Sequence, residues 1–376
     1  MKIGFDAKRI FHNFRGLGNY GRNLLEGLEK FYPESEYHLF SPKFNDTRAL
    51  DWARKHSSFK IHSPNSFVAK SMQSLWRSSL MTQDIARGGV DLFHGLSHEL
   101  PLGIEKTNVK SVVTIHDLIY LKFPEYFPWI DRKVYDKKFR HACKVADSVV
   151  AICEQTRNDL LENFNLSPEK VVVKYQSCHH RFYKTLELDK RSEVLKFYSL
   201  PSQYLLFVGA IEKRKNVLGL VRALASAKTD LPLVIVGDGN SENKKELIET
   251  IDALGLTSRV YIRSNIISKH LPAIYQSAAI FVFPSFYEGF GIPIIEAQFS
   301  EVPVITSLGS CFPETAGEGA LFINPHHNEE IAHAIDKLCS DTDMARNLVH
   351  LGRKHVEKFH RSNTTREMMN LYESLV

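Results

Sequence analysis

The sequence predicts an α/β protein of two domains, each a parallel sheet wrapped by helices, on three observations. The chain has 376 residues, more than one core of ordinary size accommodates, and α/β chains of this length divide into two lobes. Short apolar runs alternate with helix-length amphipathic stretches from end to end. The composition, 43% hydrophobic and 24% charged, leaves ample material for a core and excludes the disordered and fibrous classes.

The elements follow in order. The first series of strand candidates is Lys2 to Ala7, Tyr37 to Phe40, Leu92 to His94, Ser111 to Ile115 and Ser148 to Cys153. The second is Tyr204 to Gly209, Pro232 to Gly237, Val260 to Ile262, Ile280 to Pro284, Val302 to Thr306 and Leu321 to Ile323. Each is short and apolar, as a strand covered on both faces must be. Between the series, Cys178 to Lys184 and Ser199 to Gln203 are polar and punctuated by proline, which reads as the passage between lobes. The expected domains are therefore 1–180 and 181–357. The chain from Glu329 onward reads as helical, and a last helix over about 358–376 is expected to return to the first domain.

No segment reaches the roughly 18 apolar residues of a membrane-spanning helix. The start of the chain enters strand alternation at once, without an apolar signal core, so the expected location is cytoplasmic. The five cysteines, at 143, 153, 178, 311 and 339, form no C-x-x-C pair. Neither a disulfide framework nor a zinc site is expected, and all five read as buried thiols. Residues 1–190 hold 29 Lys and Arg against 22 Asp and Glu, and residues 191–376 hold 19 against 21. The basic excess is N-terminal. From Lys43 to Arg87, bases (Arg54, Lys55, Lys60, Lys70, Arg77) interleave with aromatics (Trp52, Phe59, Phe67, Trp76). That pattern suits either peripheral contact with an anionic membrane or an ordinary solvated face over core aromatics. No run of bases is dense enough for nucleic acid, so none is expected as a partner.

Gly16-Leu-Gly18-Asn-Tyr-Gly21 has the spacing of a dinucleotide fingerprint. It fails the two tests of that motif. Ten residues, Lys8 to Leu17, separate the first strand from Gly18, and no carboxylate ends the second strand candidate. NAD is not expected. A flexible basic loop (Lys8, Arg9, Arg15) leading to a helix N-terminus suits an anion, and a glycine-rich turn that merely starts a helix suits the same residues.

The segment Val282-Phe-Pro-Ser-Phe-Tyr-Glu288-Gly-Phe-Gly-Ile-Pro-Ile-Ile-Glu296 is the most informative. A buried strand ends at Pro284, so Glu288 falls on a loop at the carboxyl edge of the sheet, where open α/β proteins bind ligands. Pro293 is suited to the first position of the following helix. Gly289, Phe290 and Gly291 would then present amides at its positive end, a place for hydroxyl or phosphate oxygens. Glu296, about one turn inside, has the acceptors to take two hydrogen bonds from a vicinal diol. No Asp-x-Asp occurs, Gly95 argues against a helix carrying His94 and His98, and Cys178-His179-His180 are adjacent residues, so no metal site is expected.

Glu288 and Glu296 within Pro-Ser-x-x-Glu-Gly-Phe-Gly-x-Pro resemble the signature of the retaining nucleotide-sugar glycosyltransferases of family four, which have the GT-B fold. Further landmarks fall in that family's order: Gly16-Leu-Gly-Asn-Tyr, Val112-Val-Thr-Ile-His116-Asp117, Phe207 to Arg214-Lys215-Asn216, Val234-Ile-Val-Gly-Asp-Gly and Phe312-Pro-Glu-Thr-Ala-Gly. The chain departs at Gln298-Phe-Ser-Glu-Val-Pro303, where many relatives carry Ala-x-Gly-x-Pro, a difference of local packing.

The resemblance implies two facing, doubly wound Rossmann-like domains, with donor on the second and acceptor on the first. It implies that Arg214 and Lys215 hold the diphosphate and Glu288 lies by the transferred sugar. Glu296 would bind the ribose, the Phe290 and Gly291 amides sugar hydroxyls, and Gly18 the diphosphate. His116 would approach the sugar, Asp117 would cap its loop, and Arg263 to Ile266 would border the base. No residue is placed as a covalent nucleophile, so same-face displacement is expected over double displacement. The Val112 to Pro124 segment is similar to mannosyl-transferring members, which favours GDP-mannose over a UDP-sugar as donor, with a glycan or lipid-linked saccharide as acceptor in polysaccharide biosynthesis. The competing readings are nucleotide-sugar epimerisation and a non-catalytic, nucleotide-sugar-binding partner subunit.

Overall fold

Apolar runs covered on both faces become parallel strands, and the amphipathic stretches between them become the crossovers. The computed structural model describes residues 1–14, 16–43, 47–64 and 75–376. Arg15, Phe67 and Lys70 lie outside the described residues. The chain divides into two compact units, Met1–Ser177 with Phe359–Val376, and Cys178–Lys358.

Among the described residues the first unit holds seven parallel strands: β1 (Lys2–Asp6), β2 (Glu36–Phe40), β3 (Phe59–His62), β4 (Leu92–Gly95), β5 (Lys110–Ile115), β6 (Ser148–Ala151) and β7 (Val171–Val173). Their order is β3-β2-β1-β4-β5-β6-β7. The winding reverses between β1 and β4, which makes the carboxyl end of that pair a topological switch point. β3 and β7 were not among the strand candidates. Both are edges, with one neighbour each and only partial burial. Phe59-Lys-Ile-His and Val171-Val-Val therefore lack the signal of a strand covered on both sides.

The second unit holds β8 (Leu205–Val208), β9 (Leu233–Val236), β10 (Val260–Arg263), β11 (Ile280–Phe283), β12 (Val304–Ser307) and β13 (Ala320–Ile323). Their order, β10-β9-β8-β11-β12-β13, puts the reversal between β8 and β11. All six coincide with strand candidates to within two residues at each end.

The segment expected as a flexible loop before Gly18 is instead the helix Lys8–His12, which buries Ile10 and Phe11. Gly18 lies in the first turn of the next helix, Gly16–Phe31. A Cβ on Gly18 would stand 1.7 Å from the Asn13 carbonyl oxygen and 2.8 Å from that of Arg9. The glycine therefore lets two backbones meet. Gly18→Ala is expected to lower stability by about 1–3 kcal/mol through overpacking, read by urea unfolding; an unchanged midpoint would refute this account of the glycine.

The helix Arg361–Leu375 packs against Gly16–Phe31. Tyr372 Oη lies 2.6 Å from His94 Nδ1, and Arg361 pairs with Glu26 at 2.8 Å. Met368 and Met369 enter the same core as Ile3, Phe5 and Leu25. Four cysteines are buried; Cys339, contrary to expectation, is exposed. It falls in the last turn of the Asn328–Ser340 helix, where its thiol donates to Thr229 Oγ1 at 3.6 Å. In the basic and aromatic stretch, Trp76 and Phe59 are buried and Trp52 Nε1 donates to Glu26 at 2.9 Å. Trp76 and Phe59 belong to the core, and Trp52 packs against it. Among the described residues no helix is long and apolar enough to cross a membrane.

Candidate functional site

Because β8 and β11 are neighbours, the turns that leave their carboxyl ends face each other. After β8 a short 3-10 turn, Lys213–Lys215, ends at Asn216 in the left-handed region, φ 52°. The Asn216 side chain anchors it by donating to the Pro325 carbonyl at 2.7 Å. After β11 the loop runs through Glu288 to Gly291, whose φ of 92° turns the chain into the helix Ile292–Phe299. Pro293 is the second residue of that helix, where the sequence suggested the first.

The two turns are stitched together. Phe286 N donates to the Arg214 carbonyl at 2.9 Å, and the Arg214 guanidinium donates to the Tyr287 carbonyl at 2.5 Å. Glu288 then bridges both cations: Oε1 lies 2.5 Å from Lys215 Nζ and Oε2 lies 2.9 Å from Arg214. Arg214 also meets Glu212 at 2.6 Å. The side chains of Arg214, Lys215 and Glu288 are 14%, 13% and 12% exposed, which makes this a buried ionic cluster and not a solvated basic turn. Burial pushes the Glu288 pKa up, but the Lys215 and Arg214 charges and hydrogen bonds outweigh it and hold the group below its ordinary value. It is a carboxylate at neutral pH.

A third wall comes from the segment after β12. The Glu288 carbonyl accepts from Ser310 Oγ at 3.2 Å and Cys311 Sγ at 3.3 Å, and Thr315 Oγ1 donates to the Phe290 carbonyl at 2.5 Å. Ser307 Oγ holds the Ser285 carbonyl at 2.6 Å. The sequence reading missed Ser307, Ser310 and Cys311. Its one available signal was Gly309-Ser310, both at positive φ, just before Phe312-Pro-Glu-Thr.

Glu296 sits inside the helix that Gly291 begins, half-buried, and accepts from Tyr275 Oη at 2.9 Å. Burial pushes its pKa up to about 7, against the pull of the Tyr275 hydrogen bond and the Arg181 charge. The two acids of one motif thus sit in opposite electrostatic settings. Arg263 ends β10 on the same sheet edge, two strands from β8. Its guanidinium donates to the carbonyls of Tyr198, Ser199 and Ile262 at 2.8, 3.0 and 3.0 Å, so it braces the end of the Leu188–Phe197 helix. Ile266 follows in a half-buried position of the next loop.

In the first unit His116 follows β5 and is 5% exposed. Its Nε2 lies 2.9 Å from the Leu96 carbonyl, and its ring meets Tyr20 edge-on at 4.7 Å. Burial lowers its pKa to about 4, so the imidazole is neutral and Nε2 is the protonated nitrogen. Asp117 Oδ1 accepts from Ile119 N at 3.1 Å, capping the turn. His94 is committed on both nitrogens, to Tyr372 and to Thr114 Oγ1 at 2.7 Å, which is the setting of a core histidine.

Comparisons with known proteins agree across both units. Residues 197–355 match the family model described as glycosyl transferases group 1, and residues 14–176 match that of glycosyltransferase family 4. The chain is 26% identical over 390 residues to the O-antigen chain mannosyltransferase B of Escherichia coli, covering 100% of both. It is 28% identical over 291 residues to a serotype-specific mannosyltransferase, WbdA, of Escherichia coli, over 73% of this chain and 35% of that protein. In fold it is similar to a solved glycosyltransferase from Rickettsia africae ESF-5, with a TM-score of 0.79 at 21% identity over 100% of this chain and 98% of that one.

Proposed function

The chain belongs to the family-four glycosyltransferases, and from that premise we propose that it moves a hexose, with retention, from a nucleoside-diphosphate sugar to a glycan or lipid-linked acceptor in polysaccharide assembly. Similarity to mannosyltransferases supports mannose as the sugar and GDP as its carrier. The observation that carries the reading is the cluster of Arg214, Lys215 and Glu288 at the switch point between β8 and β11.

Transfer breaks the bond from the anomeric carbon to the diphosphate, leaving negative charge on phosphate and positive charge on the sugar ring. Fixed cations that meet the first charge lower the barrier without reorganising. Arg214 offers a planar fork and Lys215 an ammonium with three donors, one of them taken by Glu288. Glu288, held ionised, suits the positive ring. The acceptor oxygen forms the new bond on the same face as the leaving group departs, and its proton passes to the departing phosphate oxygen. This reading calls for no divalent ion, because the two side chains supply the charge. The His116 ring is given no part in proton transfer, since burial keeps it neutral and its N–H is taken by the Leu96 carbonyl.

The test is thermal unfolding with GDP, UDP, ADP, dTDP and NADH, each with and without chelator. A ligand at 100 times its dissociation constant adds about 2.7 kcal/mol. One nucleoside diphosphate is expected to do so in both arms, and stabilisation by NADH alone would sink the reading. The effect should grow from pH 6 to pH 8, because Glu296 must ionise to accept the ribose diol, and Glu296→Gln should flatten that dependence. Without ligand the sign reverses. The folded state keeps a proton that the unfolded chain releases above its ordinary value of 4.5. The Glu296 contribution to stability is therefore full below that value and is lost as pH rises to about 7.

A further inference from the structure

The first sheet has its own switch point, between β1 and β4, and a cavity of about 330 Å³ opens there. Its size lies within the range of about 300 to 1,000 Å³ typical of ligand pockets. Asp6, the last residue of β1, stands in its floor with Arg77, which is 8% exposed. Arg77 bonds Asp6 at 2.5 Å and Glu99 at 2.5 Å, so the floor charges are mutually satisfied. Arg77 and Ser78 arrive on a π-helical turn, Trp76–Leu80, a rare conformation found often at functional sites. Ser78 O accepts from Leu102 N at 2.6 Å, and Thr82 Oγ1 donates to Leu102 O at 2.9 Å. These bonds hold an apolar residue, 51% exposed, at the cavity mouth.

The opposite wall is the helix Trp129–Val145. Ile130, Val134, Lys137, Lys138 and His141 fall at i, i+4, i+7, i+8 and i+11, so they share one face. The first two are apolar and 67% and 44% exposed; the other three are cationic or polar. Lys138 bonds Glu99 at 3.3 Å. Lys137 has no ion pair among the described residues, and His141 Nε2 is buried without a hydrogen-bond partner.

We propose that this cavity binds an amphiphilic phosphate, the lipid phosphate of the acceptor, with its apolar chain along Val134 and Leu102 and onward over Ile130, and its phosphate at Lys137 and Lys138. The apolar and cationic ends of the helix face match the two ends of such a molecule, and two ammonium groups suit a phosphate oxyanion. The inference rests on the transferase reading only in naming the ligand as acceptor; the binding itself stands or falls separately.

The experiment is isothermal titration of the full chain with monomeric dodecyl phosphate, below its micellar concentration. Inorganic phosphate, neutral dodecyl maltoside and phosphatidylglycerol vesicles are the comparison arms. Dodecyl phosphate is expected to bind at least tenfold more tightly than either single-featured ligand. Lys137→Glu and Val134→Asp, both at exposed positions, should each weaken it at least tenfold. Unchanged stabilisation by the nucleoside diphosphate shows that the variants are folded. Equal affinity in wild type and variants would overturn the proposal. So would protein that sediments with vesicles yet fails to saturate with the monomer, which would mean surface adsorption in place of a site. If no nucleoside diphosphate binds while dodecyl phosphate binds as expected, the cavity assignment stands and the transferase reading falls.

Discussion

Lys215→Ala is expected to lower the turnover of sugar transfer by roughly 10²- to 10³-fold, the usual consequence of removing one preorganised charge from a developing oxyanion. The ammonium sits 2.5 Å from Glu288 in a site where all three ionic side chains are less than 15% exposed. In that setting a charge is screened little by water and acts at close to its full strength. The loss should fall on kcat more than on donor KM, because the phosphate is most negative once the bond has broken. Lys215→Arg should recover little, since a planar fork does not retrace the geometry of an ammonium. Glu288 would lose one of its two cationic partners in the alanine variant, and its pKa should climb toward the value that burial alone would set. A steady-state comparison of kcat and KM on the stabilising nucleotide sugar decides the matter. A loss confined to KM would mean that Lys215 only binds the donor.

Arg77→Met is expected to cost about 3–5 kcal/mol of stability, the penalty for breaking a buried ion pair from one side. Arg77 sits between Asp6, 4% exposed, and Glu99, 27% exposed. Methionine fills much of the same space, so the loss is electrostatic: Asp6 is left as a buried carboxylate with its cation gone. One control separates this from lost packing: Arg77→Met combined with Asp6→Asn should be more stable than Arg77→Met alone. Urea unfolding followed by tryptophan emission reports on it directly, because Trp76 is the neighbouring residue. A loss below about 1 kcal/mol would show that the triad contributes little net stability, as buried ion pairs sometimes do.

Both predictions concern charges that the sequence displays and the fold pairs, and the two cases differ in how much could be read in advance. Lys215 was legible: it follows a buried strand, and a strand end at the carboxyl edge of an open sheet is where phosphate-binding groups gather. Glu288 and Glu296 were legible as a pair for the same reason, since one loop and one helix start carry both. Their opposite electrostatics were not, because these depend on Lys215 and Arg214 from the β8 turn, which hold Glu288 down, and on the packing that buries Glu296 and pushes it up. Arg77 read as one more base in a basic stretch. Only the approach of Asp6 and Glu99, 71 and 22 residues away, makes it a buried ion.

The same distinction runs through the fold. Strands covered on both faces announce themselves as apolar runs, so the six strands of the second sheet and the five inner strands of the first were visible in the sequence. The edges β3 and β7 were not, because an edge is defined by the neighbour it lacks. The helix Lys8–His12 was read as a loop: five residues give too little periodicity, and its buried Ile10 and Phe11 are covered by helices that follow later in the chain. By itself the sequence determined the fold class and the residues of the Glu-x7-Glu loop, since burial period and local spacing are properties of contiguous chain. The tertiary structure alone decided which charges neutralise one another, which serines support the loop, and where Lys137 and His141 meet an apolar mouth. Those depend on strand order and helix packing, which bring distant residues within a few ångströms of each other.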